Sequence, residues 1–427
     1  MATQFDTVTE LEARLAEVEA AIGNQVLILR NLRQARIDIH RQLNNLRDPI
    51  SSRLPVEISS RIFLFCVPPP QVYGTLSAPV LLLRICTSWT EIALFTPMIW
   101  ANLHLELPDE PTPEFIHLLK AWLARGKACP LLLSLGGPPS PDLHPEIRRL
   151  VAAHARRLIA LEIHTHSYLS LFADETVFPA LELIYVYDPR QIETQNILDA
   201  LRASPRLETF GSDAHIVLDE IVSQNDAHGV HQTLRNLNIG ASFWTPTSVL
   251  PYLTLPALYG LEVMILDVNL LECLISFLTR SPRLRTLTLQ VHAAERSWPR
   301  HCVEHLLDTI PNLQTLRMTT RTDSQAPDFQ DTLIEVLTDS KYLPELTQLT
   351  LAASPVTAVH WYTTVATMLY NRSDTLDSFS LQWPAVQEGT AVLSAEPNEE
   401  DKNVFHELSR EGMKIDLGPY FHFLDEE

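Results

Sequence analysis

The stretch SPRLRTLTLQV, residues 281–291, decides how the chain is read. Its proline ends whatever helix precedes it and biases the flanking backbone toward an extended conformation. Leu284, Leu287 and Leu289 then follow the pattern L-x-x-L-x-[LIVM], which puts an apolar row on one face of a short strand. The pattern recurs at Leu158/Leu161/Ile163, Leu181/Ile184/Val186, Leu234/Leu237/Ile239, Leu258/Leu261/Val263, Leu313/Leu316/Met318, Leu346/Leu349/Leu351 and Leu376/Phe379/Leu381, with Leu207/Phe210 a degenerate copy. Successive first leucines are 23 to 33 residues apart, and turns such as Ser204-Pro-Arg-Leu, Ile310-Pro-Asn-Leu and Leu343-Pro-Glu-Leu introduce several copies.

Between the strands lie apolar periodicities of helical type: 197–203, 270–279, 303–309, 332–339 and 356–370. A strand–helix unit of this size has an apolar face it cannot bury alone, so neighbours stack. The expected architecture is an α/β solenoid over residues 108–420, with parallel strands inside and helices outside. The spacing lies near the 20–29-residue period of leucine-rich repeats and slightly beyond it. Residues 384–402 are polar and acidic and read as a loop; residues 404–417 read as a last helix, turn and strand.

Upstream, residues 1–50 carry a heptad. Val8, Leu15, Ile22, Leu29, Arg36 and Leu43 fall on one seam position and Leu11, Val18, Gln25, Leu32, Ile39 and Leu46 on the other, so ten of twelve are apolar. At 1.5 Å per residue, positions 8–46 make a rod of roughly 58 Å. A self-paired coiled coil, giving a homodimer through residues 8–46, is one reading; a helix folded back on the chain's own body is the other. Asp48-Pro49 ends the helix in either case.

Residues 51–107 form the third segment. Ser51 or Ser52 is placed to cap a helix from Val56 to Cys66, with Pro55 in its first turn. Pro68–Pro70 stop it, and a second helix is expected over 80–94, before Trp100 opens an extended stretch. Leu54, Pro55, Glu57, Ile58, Ile62, Phe63, Leu81–Leu83, Arg84, Cys86, Trp89, Ile92-Ala93-Leu94, Pro97 and Trp100 resemble the pattern LPxEixxxIF, leucine run, VCxxW, ial, tPxLW of F-box-like domains. Ile85, Thr87 and Met98 depart from it. The repeats lack the strict asparagine of the commoner leucine-rich pattern, so the chain is similar to the F-box-like proteins with divergent repeats expanded in mushroom-forming fungi.

That resemblance implies an all-α module docking the Skp adaptor of cullin-RING ubiquitin ligases through Leu54, Pro55, Ile58, Ile62, Phe63, Leu82 and Trp89. A protein target would then lie on the repeats, with Tyr185, Tyr187, Arg235, Arg285 and Arg317 as candidate contacts because they alternate with strand leucines. The implied function is a non-catalytic substrate receptor; the alternative is a repeat scaffold that assembles proteins without a ligase.

Composition narrows the other classes. Lys+Arg 32 against Asp+Glu 52 gives a net charge of −20, a field that repels nucleic acid. The most apolar window, 261–278, carries Glu262, Asp267 and Glu272, too many carboxylates for a bilayer span. Five cysteines without CxxC spacing, and no secretory signal at the N-terminus, fit buried thiols in the cytoplasm or nucleus. No nucleotide-binding, hydrolase or zincin motif occurs, and 12 glycines leave little material for a phosphate loop. His164/His166, His228/His231 and His301/His305 lack a carboxylate cluster, so neither metal nor other cofactor is expected.

Overall fold

In the computed structural model the described residues are 2–67, 78–138, 143–173, 176–188, 190–217, 229–239, 249–265, 268–291, 298–320, 327–352, 359–382, 397–417 and 422–423. The chain divides into two compact units: residues 1–104 with 117–129, and 105–116 with 130–427. This differs from the expected boundary, because residues 117–129 join the first unit. No helix among the described residues is long and apolar enough to cross a membrane.

The first unit is helical: α1 (Ala2–Arg47), α2 (Pro49–Arg53), α3 (Val56–Phe65), α4 (Leu82–Ile85) and α5 (Thr87–Phe95), then a 3-10 turn Pro97–Trp100. Pro55, rather than Ser51 or Ser52, occupies the N-cap position of α3. The single helix expected over 80–94 is two, because Cys86 is extended (φ −156°) between α4 and α5. Pro68–Pro70 lie outside the described residues.

A core of Phe63, Ala78, Leu82, Ile92, Ala93, Ile99 and Trp100 holds α3, α4, α5 and the 3-10 turn together. Trp100 is fully buried, donates its indole N–H to the Ala93 carbonyl (2.7 Å) and meets Trp122 edge-on at 4.9 Å. The Arg125 guanidinium lies 4.6 Å from its ring centre. The helix carrying Trp122 and Arg125 thus supplies apolar cover that residues 51–105 lack.

The second unit is built on the repeats. Its strands Leu131–Gly136, Leu158–Ile163, Leu183–Val186, Thr209–Ser212, Asn236–Ile239, Gly260–Ile265, Thr286–Val291, Thr315–Thr320, Gln348–Ala352, Ser378–Gln382 and Lys414–Leu417 lie side by side in chain order. Among the described residues these neighbours pair in parallel, and the terminal His422–Phe423 runs antiparallel to Lys414–Leu417. The result is an α/β fold on a large parallel sheet.

Register matches the sequence repeat. Leu237, Leu261, Leu287, Leu316, Leu349, Phe379 and Ile415 stand in one row across seven strands. The nine first leucines, from Leu158 to Leu376, are at most 3% exposed, so each repeat contributes a wholly buried anchor. Helices Val268–Leu278, Arg300–Thr309, Pro327–Leu337, Val359–Asn371 and Glu399–Arg410 pack in the same order, each against the next. Their crossings return the chain to the same end of the sheet, as parallel pairing requires.

The acidic stretch expected as a loop to residue 402 is partly helix. Asn398 caps Glu399–Arg410 by accepting the Asp401 N–H at 2.7 Å, and Glu399, Glu400 and Asp401 occupy the first turn. Carboxylates there face the positive end of the helix dipole. Residues 384–396 lie outside the described residues. Of the cysteines, only Cys86 and Cys302 are buried, while Cys66 is exposed.

Candidate functional site

In the first unit the expected adaptor residues separate into two groups. Phe63 and Leu82 belong to the core, so a partner does not reach them directly. Trp89 is half-buried: it packs on Phe63 at 4.8 Å between ring centres and donates its indole N–H to Asp48 Oδ2 at 2.9 Å. Its role is internal, fastening the end of α1 to the module. Ile62 is half-buried against the same core. Leu54, Pro55 and Ile58 face solvent, and with them Val56, Leu81, Leu94, Met98, Phe65 (84% exposed) and Phe95 (78%). The last two were not among the expected adaptor contacts; their helical phase relative to Phe63 and Ile92 is the signal that could have found them.

In the second unit the residues between the paired leucines form a second row, on the opposite sheet face. It reads Ser134, Glu162, Tyr185, Gly211, Asn238, Glu262, Thr288, Arg317, Thr350, Ser380, Asp416. Tyr185 and Tyr187 stack at 4.2 Å, and His164 stacks on Tyr187 at 5.1 Å. Gly211 is cross-strand from Tyr185, whose ring fills the space a Cβ at 211 would need. The Tyr185 hydroxyl donates to Asp213 Oδ1 at 2.8 Å, and burial, with that carboxylate, pushes its pKa up. Glu262 accepts from the amides of Asn238 and Gln290, each at 2.8 Å. The face is therefore aromatic and acidic toward its N-terminal strands and rich in hydroxyls toward its C-terminal ones, with Arg317 exposed among them.

Arg235 and Arg285 are elsewhere, which corrects their expected place on that face. They follow the first leucine of their repeats, at the leading edge of the sheet, where the backbone N–H groups of Glu208, Arg235, Tyr259, Arg285 and Gln314 donate from repeat to repeat. There they line a groove of about 940 Å³ with Tyr259, Arg283, Gln232 and Glu208. Arg285 is engaged by Glu345 Oε2 at 2.5 Å and by the Asn312 carbonyl at 2.6 Å. Arg235 is exposed and has no ion pair among the described residues. Sequence spacing grouped Arg235 with Arg285 but set them on the sheet face, and Arg283 was not among the expected contacts.

His166 Nδ1 meets Asp188 Oδ2 at 2.8 Å, and hydrogen bonds to His166 and Arg190 hold that carboxyl below its ordinary pKa despite its burial. His301 and His305 are exposed, and His228 lies outside the described residues. No group of three or more His, Cys, Asp or Glu is placed to hold a metal among the described residues. Compared with known proteins, the chain matches no family model and no curated protein.

Proposed function

We propose that the chain is the target-recognition subunit of a Skp–cullin–F-box ubiquitin ligase, its first unit an F-box-like module and its second a stack of divergent leucine-rich repeats. One observation carries the reading: the apolar residues of the F-box-like pattern divide into an inward set led by Phe63, Leu82 and Trp100 and an outward set of Leu54, Ile58 and Leu94. The outward set is enlarged by Phe65, Phe95 and Met98. Exposed apolar surface of this kind on a small module is what a protein partner covers. The open sheet face, with its tyrosine pair and Arg317, offers the target a broad surface of aromatic and polar groups. Such a receptor accelerates ubiquitin transfer by raising the local concentration of target beside the conjugating enzyme, with no chemistry of its own.

The test is co-elution of the intact chain with the Skp adaptor on gel filtration. Ile58→Asp should weaken the complex by at least roughly thirtyfold, since it places an unpaired charge in the contact. Ile58 is 46% exposed, so its thermal midpoint should stay within about 2 °C of the parent. If the parent chain elutes free of the adaptor, the scaffold reading replaces this one.

A further inference from the structure

Among the described residues the heptad face of α1 is exposed. Leu11, Leu15, Val18, Ile22, Leu29, Leu32, Ile39, Leu43 and Leu46 are between 40% and 83% exposed. The module grips α1 from the other side. Asn44 donates to the Ile85 carbonyl at 2.9 Å, Arg41 donates to the Leu83 carbonyl at 3.3 Å, and Asn45 accepts from Thr87 and Ser88. With leucines 43 and 46 on the seam, residues 41, 44, 45 and 48 all fall on the outer positions of the heptad. The fold thus anchors the helix by its back and leaves the seam open over more than five heptads, beyond the three or four that specify a coiled coil.

Charge along α1 is sharply polarised. Asp6, Glu10, Glu12, Glu17 and Glu19 against Arg14 make the first part acidic, and Arg30, Arg33, Arg36, Arg41 and Arg47 against Asp38 make the last part basic. Residues 20–29 carry no charge. A parallel pair would lay acid on acid and base on base, and would set Arg36 against its own copy inside the seam. An antiparallel pair aligned with residue 8 opposite residue 46 does the reverse. Every seam residue of one kind then meets one of the other: Leu15 meets Ile39, Ile22 meets Leu32, Leu29 meets Gln25, and Arg36 meets Val18 between Glu17 and Glu19. On the flank, Glu19 of each helix comes within one turn of Arg33 of the other, Glu12 within one turn of His40, and the two Val26 lie beside the uncharged centre.

We propose that α1 pairs with α1 of a second copy of this chain as an antiparallel coiled coil. The juxtaposition carrying this is an exposed seam, held from behind, whose two halves have opposite charge. Such pairing sends the two modules to opposite ends of a rod roughly 58 Å long, and it holds or fails independently of the adaptor reading.

Light scattering of the intact chain should give twice 48.3 kDa. Ile22→Glu with Leu29→Glu should return it to one copy while leaving its thermal midpoint in place, since both side chains are exposed within the chain. Orientation is read by charge reversal: Glu19→Arg should weaken the dimer roughly tenfold, and adding Arg33→Glu should restore it. In a parallel pair Glu19 faces Arg14 of the partner copy, so the second change would not rescue the first. Oxidation of the Leu15→Cys, Ile39→Cys double variant should give interchain 15–39 peptides by mass spectrometry. A single-copy mass for the parent chain would overturn the proposal and give the seam to a helix of another protein. A dimer that survives the glutamate substitutions, or 15–15 peptides, would overturn it equally.

Discussion

Arg372 is 1% exposed and, among the described residues, faces no carboxylate across a salt bridge, an arrangement that desolvation makes expensive. It is supported instead by backbone: its guanidinium donates to the carbonyls of Leu337 (2.6 Å), Leu343 (3.1 Å), Asp339 (3.2 Å) and Tyr342. Leu337 ends the preceding helix, so the cation satisfies carbonyls at its negative pole and fixes the turn in which Leu343 takes a φ of +49°. From sequence, Arg372 is only the middle residue of the glycosylation-type triplet Asn371-Arg372-Ser373. Arg372→Met removes all the donors and leaves buried carbonyls unpaired, and is expected to cost about 3–5 kcal/mol in urea unfolding. Arg372→Lys should recover only part of this, because an ammonium cannot fork to four oxygens.

His231 gives the same unit a pH response. It is buried, with Nε2 against the Ser204 carbonyl at 3.0 Å and Nδ1 accepting the Leu234 N–H at 3.2 Å, which fixes the neutral ring with its proton on Nε2. Burial lowers its pKa. Above the ordinary imidazole value of about 6.5 the ring is neutral in both states and its contribution is whole. As pH falls through that value toward the lower folded one, the unfolded chain takes up a proton that the folded chain resists, and stability is lost. The gap in unfolding midpoint between the parent and His231→Gln should therefore narrow from pH 8 to pH 5. A constant gap would show that this ring contributes by packing alone.

At the scale of elements, legibility followed how local the cause was. The repeat strands could be read because period-two leucines and a preceding proline act within a few residues, and register then aligned them across the sheet. The break at Cys86 could not, because Ile85, Cys86 and Thr87 have no strong breaker and the extended residue is imposed by packing between α4 and α5. The acidic run at 399–401 carried a loop-like composition, yet one asparagine cap and the helix dipole made it a first turn. Candidate contacts behaved likewise. Tyr185 and Tyr187 share a face because they are two residues apart, the second just past the end of the strand Leu183–Val186, whereas Arg235 and Arg285 flank the strands, where alternation gives no guide. Phe63 and Leu82 resembled docking residues, but a family pattern mixes core with surface, and only the folded core separates them.

At the scale of the molecule, sheet order equal to chain order means that each repeat touches chiefly its neighbours. Stability should then be a sum of repeat and interface terms. Removing residues 258–283 brings Leu284, Leu287 and Leu289 into the places of Leu258, Leu261 and Val263, a whole unit deleted in phase. The expected protein folds, keeps its far-UV circular dichroism per residue, and melts cooperatively at a midpoint lower by no more than about 10 °C. Removing residues 270–283 instead takes away most of the helix Val268–Leu278 while keeping the strand Gly260–Ile265. Leu261, Val263 and Ile265, now buried, would lose their cover, so this shorter deletion should bind a hydrophobic dye and lose cooperativity. The larger deletion being the milder one is the signature of stacked units. If both deletions abolish folding alike, the strands depend on a shared core rather than on their neighbours, and the stacking account fails.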